Sequence, residues 1–279
     1  MNDTKSFLLS DAIDYCSKQV PFLPRLGFVL GSGLDAFIHK IKIEKSIDFQ
    51  DIPGFPVPTT ENHKGCFLFG HYAEVPVVIM QGRLHYYEGF SPAETILPIR
   101  LLKHFGVQHL LLTNASGAIR TDLAPGDFLL ITDHLSFLVP SPLRGPNDNN
   151  IGKRFPDMGQ PYDPALNHLL MQAAQECSIP LQSGTYIQAA GPQFETPAEI
   201  QCFQKFGADA VGMSTVNEVI AANHCGIRVA CISCIGNMAA GIASTPITLE
   251  QVIEASKKMS PKLEKLLFCF IQKYAEWSA

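Results

Sequence analysis

Charged residues are scarce in this sequence, and basic residues are not in excess. Only 17% of the 279 residues are charged, 46% are hydrophobic, and the formal net charge is −5. A chain of this composition buries a large core, which excludes an intrinsically disordered protein. The net negative charge leaves no basic footprint, so we predict no nucleic-acid partner.

Long hydrophobic runs are absent as well. The apolar stretches have the length of β-strands and fall short of the ~20 residues of a transmembrane helix. No secretory signal is recognisable, because a brief apolar run at 7–9 is followed by Asp11 and Asp14. We therefore expect a cytoplasmic protein with no membrane partner.

The eight cysteines form no metal-binding pattern. They are scattered along the chain, and several lie in apolar surroundings. Cys231 and Cys234 have Cys-x-x-Cys spacing, but they continue a strand-like run and no second pair or His pattern accompanies them. We predict reduced core thiols and no metal site.

Strand-like and helical patterns alternate along the chain. Apolar runs predict strands at 26–30, 66–70, 75–81, 109–113, 128–132, 185–189, 208–211 and 227–233. Helical periodicity predicts helices near 92–105, 163–177, 197–206, 216–224 and 249–274, the last kinked or divided by Pro261. This alternation predicts a single α/β domain over residues 1–279, with a mixed, mostly parallel central sheet flanked by helices.

Polar residues follow the strand predicted at 75–81. If the chain stays extended, Arg83, His85 and Tyr87 point the same way, because successive side chains alternate faces. A cation, a titratable donor and a phenol then lie at a strand end, where open parallel sheets bind ligands. The mixture suits a phosphate-using ligand with hydroxyl groups, although a solvated loop would carry the same residues.

Two glycine-containing motifs also follow strands. Gly31-Ser32-Gly33-Leu34 comes after the first strand, where glycines let the backbone approach an anion and a helix N-terminus favours one. The loop also fits a dinucleotide fingerprint loosely, but the acid expected after a second strand is missing. The small residues at 114–117 would expose backbone N–H groups to a ligand, or form an ordinary turn.

Further polar groups lie near predicted helix starts. Thr196 and Glu199 form a capping-box pattern that places Phe194 and Glu195 just before a helix. There an aromatic ring can stack on a flat base and a carboxylate can accept its ring N–H, although such an acid also favours the helix dipole.

Ser214 precedes a second pattern of this kind, Thr215-x-x-Glu218. Asn237 follows the strand at 227–233, where a side-chain amide can offer a donor and an acceptor to a base edge, or form a turn.

In order and spacing, these motifs resemble the trimeric purine nucleoside phosphorylases from about Pro24 to the last helix. The resemblance implies a single α/β domain, a homotrimer, no metal and no cofactor. The implied reaction is reversible phosphorolysis of a 6-oxopurine nucleoside to free base and ribose 1-phosphate, with phosphate as co-substrate.

The resemblance also assigns roles by position. It implies a phosphate site at Ser32, His63, Arg83, His85, the Ala115 backbone and Ser214. It implies nucleoside contacts from Tyr87, Met213, Phe194, Glu195 and Asn237, and from Phe155 of a neighbouring subunit. The catalytic residues that it implies are His85, Glu195 and Asn237.

Three departures from the family pattern affect this assignment. Around His63 the sequence keeps only part of the family's Gly-His-x-Gly motif. Gly236 stands where a Thr is common, and Leu249 falls where many members place a His against the ribose 5′-hydroxyl. Three alternatives stay open: a 5′-methylthio-nucleoside phosphorylase, a non-catalytic nucleoside-binding protein and a nucleotide-binding oxidoreductase.

Overall fold

A computed structural model of the chain describes residues 3–31, 35–61, 63–242 and 246–278. Within these residues there are nine strands: β1 (Leu26–Leu30), β2 (Lys42–Asp48), β3 (Cys66–Tyr72), β4 (Val75–Gln81), β5 (His109–Ala118), β6 (Phe128–Leu135), β7 (Leu181–Gln188), β8 (Ala210–Gly212) and β9 (Arg228–Met238). They join one sheet in the order β2-β3-β4-β1-β5-β8-β7-β6-β9.

The sheet is mixed, with five parallel pairings among the nine between described strands. β9 pairs with both β6 and β5, so β5, β8, β7, β6 and β9 close into a ring. The remaining strands extend from β5 as an open sheet. The α/β class predicted from the alternating pattern is confirmed.

Helices cover both faces of the sheet. The described helices are α1 (Asp3–Ser17), α2 (Pro92–Thr95), α3 (Leu97–His104), α4 (Pro164–Glu176), α5 (Pro197–Lys205), α6 (Val216–His224) and α7 (Leu249–Ser278). In β5, Leu110 and Leu112 belong to the apolar cluster that contains residues of α1, α3 and α6, whereas Leu111 belongs to the cluster with α4 and α7. This alternation is the reason why the central strands are apolar throughout.

Two elements were not predicted, and one prediction about α7 was partly wrong. β2 is a mostly exposed strand with two Lys and one Glu; among the described strands it pairs only with β3, so it lacks an apolar pattern. The charged residues of α1 obscure its weak periodicity. Pro261 does not divide α7, because buried residues on both sides of it, including Met259 and Leu263, hold one helix.

The prediction that all cysteines are reduced is wrong for one pair. Cys177, which follows α4, is joined by a disulfide to Cys269 in α7. Cys231 and Cys234 are free and buried, and burial raises the pKa of both thiols.

In the described part of the chain no group of three His, Cys, Asp or Glu side chains is arranged to hold a metal ion. None of the described helices is long and apolar enough to cross a membrane.

A change of strand partner along β5 creates the crevice of the fold. β5 pairs with β1 over residues 109–112 and with β8 only at Gly117 and Ala118. Residues 113–116 of β5 therefore pair with neither β1 nor β8 along this edge. Along its other edge, β5 pairs with β9 over residues 109–118. Open α/β sheets bind ligands at such a switch point.

Candidate active site

A cavity of about 290 Å³ opens at this crevice. Eleven residues predicted for the site line it: His63, Arg83, His85, Tyr87, Ala115, Phe194, Glu195, Met213, Ser214, Asn237 and Leu249. Ser32 lies outside the described residues. Phe155 is 85% exposed and does not line the described cavity of its own chain.

Arg83 is a buried cation that lines the cavity. Its side chain donates from Nη1 to Oγ of Ser214 at 3.0 Å and from Nη2 to the carbonyl of Thr113 at 2.9 Å. The chain does not stay extended after β4, because Gly82 has a φ of 90°. A Cβ at Gly82 would lie 2.8 Å from Cα of His63, so this turn requires glycine.

Arg83, His85 and Tyr87 nevertheless all line the same cavity. The rings of His85 and Tyr87 stack with centroids 4.6 Å apart, and the ring of His63 lies 4.7 Å from that of His85. The short 3₁₀ turn Tyr86–Glu88 is the element that brings them there. The three side chains do lie together as predicted, but the extended chain on which that prediction was based is not present.

Both histidines are neutral hydrogen-bonding groups near pH 7. Burial, with the charge of Arg83 adding to it, lowers the pKa of His63 to about 3, and burial likewise lowers the pKa of His85. The backbone N–H of Arg83 donates to Nδ1 of His63 at 3.2 Å. Nδ1 of His85 lies 3.0 Å from a carboxylate oxygen of Glu88. A neutral His85 that donates this Nδ1 proton presents Nε2 as an acceptor.

The predicted capping box of α6 does not form. Thr215 makes no cap hydrogen bond; it has a φ of 85°, a strained conformation for a β-branched residue. The hydroxyl of Thr215 instead accepts from Nδ2 of Asn114 at 2.8 Å. Glu218 turns into the interior, with Oε1 3.3 Å from Nε of Arg83.

Sequence reasoning missed Glu218, because its spacing from Thr215 indicates a solvent-exposed cap. The one signal in the sequence was its apolar surroundings in the first two turns of α6.

Small residues of β5 let its backbone line the cavity. Ala115, Ser116 and Gly117 all contact the cavity, and a Cβ at Gly117 would lie 3.1 Å from Nδ2 of Asn237. Behind them a buried network connects the two strands: Ser233 donates to Oδ1 of Asn114 at 2.5 Å and lies 2.6 Å from the Ser116 hydroxyl. This network fixes the end of β5 against β9.

The same cavity is lined by the groups predicted to bind a purine base. The Thr196–Glu199 capping box is present at the start of α5, and it places Phe194 and Glu195 at the cavity as expected. Burial raises the pKa of Glu195. Nδ2 of Asn237 donates to the carbonyl of Met238 at 2.8 Å, which fixes the amide and leaves its second N–H available to a ligand.

An apolar wall from α7 completes the cavity. Leu249, Val252 and Ile253 line it, and the prediction did not include the last two. Gly236 allows their close approach, since a Cβ there would lie 3.3 Å from Cγ1 of Val252. Two of the three departures from the family pattern are therefore associated with this wall: Leu249 belongs to it, and Gly236 packs against Val252.

Comparison with known proteins agrees with this geometry. Residues 25–272 match the family model of the phosphorylase superfamily. The chain is 43% identical to purine nucleoside phosphorylase 1 of Bacillus subtilis, over 94% of this chain and 97% of that protein. It is 40% identical to the purine nucleoside phosphorylase of Rattus norvegicus, over 88% of this chain and 87% of that protein.

A solved structure of the Schistosoma mansoni purine nucleoside phosphorylase in complex with inosine has a TM-score of 0.90 to this chain. The two are 31% identical, and the match covers 96% of each chain. The chain therefore belongs to the phosphorylase superfamily, among its purine nucleoside phosphorylases.

Proposed function

We propose that the chain catalyses the reversible phosphorolysis of 6-oxopurine nucleosides, both ribo and 2′-deoxy, to free base and the sugar 1-phosphate. The substrates are inosine and guanosine, and the role is purine salvage. One observation carries the proposal: a single cavity is lined by a buried Arg83, bonded to Ser214, and by Glu195 and Asn237. The first pair suits an oxyanion and the second suits the edge of a purine.

The reaction divides charge between the two halves of the nucleoside. As the glycosidic bond breaks, its electron pair stays with the purine and the sugar becomes cationic. A phosphate held by Arg83 and Ser214 stabilises that cation and then bonds to the anomeric carbon through one of its oxygens. No nucleophile from the protein is required, so catalysis rests on positioning and electrostatics.

The base side of the cavity supports selectivity for 6-oxopurines. The remaining N–H of Asn237 is shared between N7 and O6 as the purine gains negative charge, and Glu195 accepts a hydrogen bond from N1–H. A 6-aminopurine presents its own donor to Asn237 and carries no N1 proton for Glu195. Unpaired buried polar groups of this kind give large discrimination between substrates.

The test is release of free base from inosine with and without inorganic phosphate. We expect hypoxanthine and ribose 1-phosphate only when phosphate is present. Equal cleavage without phosphate would make the protein a hydrolase, and binding without release of base would make it a nucleoside-binding protein. Methylthioinosine in the same panel tests the nearest rival, a 5′-methylthio-nucleoside phosphorylase.

We further propose a homotrimer in which Phe155 covers the sugar side of a neighbour's cavity. One observation supports this: Phe155 is 85% exposed and does not line the described cavity of its own chain. A closed ring of identical contacts would give every cavity such a cover.

We also propose a cytoplasmic enzyme that needs phosphate but no metal or cofactor. Treatment of the active enzyme with EDTA would test whether a metal is required.

A further inference from the structure

Arg83 and Glu218 form a buried ion pair beside the cavity. Their side chains are 2% and 4% exposed, and Nε of Arg83 lies 3.3 Å from Oε1 of Glu218. Apart from this pair, neither carboxylate oxygen of Glu218 has a hydrogen-bond partner among the described residues. A polar group so deeply buried, with a single partner, calls for a physical reason.

The contacts of the carboxyl group favour its ionised form against the effect of burial. Burial raises the pKa of Glu218, while the charge of Arg83 acts in the opposite direction. The atom that faces the carboxyl group is an N–H donor, so a neutral carboxyl group would leave its own O–H without an acceptor among the described residues. An ionised Glu218 compensates the charge of the guanidinium, whose Nε faces Oε1 as an ion pair and has no hydrogen-bond partner of its own among the described residues.

Three partners surround the guanidinium group of Arg83. Nη1 donates to Ser214, Nη2 donates to the Thr113 carbonyl, and Nε faces Glu218. The contacts with Ser214 and Thr113 involve only the two Nη atoms and leave the Nε side of the guanidinium without a partner. Glu218 therefore closes the set of contacts that holds the guanidinium plane in one orientation.

We infer that Glu218 is a positioning residue that aligns the Arg83 guanidinium for phosphate and competes with phosphate for its charge. The inference rests on the proposed function, because it takes inorganic phosphate as the anion in the cavity. When phosphate is absent, the pair is neutral. When phosphate binds, one buried cation serves two anions, so Glu218 weakens phosphate binding while it keeps Arg83 in place.

A purely structural role would predict a different outcome. Glu218 lies in the first turn of α6, where any acid favours the helix dipole. Under that role its replacement would lower the melting temperature but leave the affinity for phosphate unchanged. Glu94 offers a matched control, because it lies in the first turn of α2 in a capping box and does not line the cavity.

The experiment compares Glu218→Gln, Glu218→Ala and Glu94→Gln with the parent enzyme at pH 8. Calorimetric titration with inorganic phosphate gives Kd without catalysis, and steady-state assays give kcat and the KM for inosine. Gln keeps an acceptor oxygen for Nε but removes the charge, so we expect phosphate Kd to fall on the order of 10-fold. Its kcat should stay within about threefold of the parent value.

The Ala substitution removes both the negative charge and the oxygen that faces Nε of Arg83. We expect Glu218→Ala to bind phosphate at least as tightly as the parent but to lose on the order of 10²-fold in kcat, because the guanidinium is free to move. Glu94→Gln should match the parent in Kd and kcat.

An unchanged Kd for phosphate in Glu218→Gln would contradict the inference that Glu218 competes with phosphate for the charge of Arg83. Equal kcat values in the Gln and Ala variants would contradict the inference that Glu218 positions Arg83. If the Ala variant does not fold, the titration of the Gln variant still decides the first point. A parent enzyme that binds phosphate but releases no base would contradict the proposed function and leave this test intact.

Discussion

His85 is fixed by the carboxylate of Glu88, whose Oε1 lies 3.0 Å from Nδ1 of the ring and 2.8 Å from the His85 backbone nitrogen. The second carboxylate oxygen accepts from the backbone and hydroxyl of Thr59 at 2.5 and 2.7 Å. Burial acts to raise the pKa of Glu88, but these hydrogen bonds outweigh it and lower the pKa to about 2. Glu88 thus connects the segment before β3 to the cavity.

Glu88→Gln should weaken both the fold and the phosphate site. The carboxylate of Glu88 accepts hydrogen bonds from Thr59 and from the His85 backbone, whereas the amide nitrogen of Gln is itself a donor and cannot accept them. The free energy of unfolding should therefore fall by about 1–3 kcal/mol. We expect kcat/KM for phosphate to fall on the order of 10-fold, because His85 loses its orientation.

Denaturant unfolding at several pH values provides the control for this variant. The folded-state pKa of Glu88 is depressed, so its contribution is complete above the ordinary value of 4.5 and is lost as the pH falls toward 2. The stability difference between parent and Gln variant should therefore shrink between pH 5 and pH 3. A difference that does not change with pH would show that Glu88 acts without its charge.

Arg83→Ala should lose at least ~10²-fold in kcat/KM for inosine at saturating phosphate, as expected for loss of a transition-state charge partner. Arg83→Lys keeps the charge but not the fork that contacts Ser214 and Thr113, so it should restore only part of the activity. Steady-state kinetics of both variants check this, and inosine kinetics unchanged by Ala would place Arg83 outside the reaction.

Asn237→Asp should shift the preference toward 6-aminopurine nucleosides. A carboxylate accepts from the exocyclic amino group, whereas it repels the developing charge on O6 of a 6-oxopurine. The ratio of kcat/KM for adenosine over inosine should rise by an order of magnitude or more, about the effect expected when one buried polar pairing changes. Asn237→Ala is the control, since it should lower both activities without raising the ratio.

Leu249→His should sharpen discrimination at the ribose 5′ position. In the parent, Leu249, Val252 and Ile253 form an apolar wall that offers no hydrogen bond to a 5′-hydroxyl. We expect 5′-deoxyinosine and 5′-methylthioinosine to retain much of the kcat/KM of inosine in the parent, and to lose it in the His variant. If the parent itself rejects both analogues by orders of magnitude, another residue recognises the hydroxyl.

Phe155→Ala should raise the KM for inosine more than it changes kcat, because the side chain is proposed to cover the neighbour's sugar without touching the reacting atoms. Light scattering should give three 30.6 kDa chains for both parent and variant. Exposed Phe206 is a matched control for loss of a surface aromatic, since it does not line the cavity. A fully active monomer would contradict the shared site.

Local sequence patterns determined much of the fold. β4 and α6 have the predicted bounds, because a β-branched apolar run and a helical apolar stripe each suffice to define an element. The positions of the site residues at strand ends followed from the same patterns, since polar groups after buried strands meet at one edge of a sheet. β2 escaped prediction because an edge strand makes few apolar contacts.

Only the tertiary structure decided how the site is closed. The crevice arises because β5 changes partner from β1 to β8, and strand order is not encoded in any local period. Glu218 could not be assigned from its spacing, because the same Thr-x-x-Glu pattern forms a cap in α5 but faces Arg83 in α6. A cap depends on neighbouring residues, whereas a buried ion pair depends on segments that lie far apart in the sequence and meet only when the chain has folded.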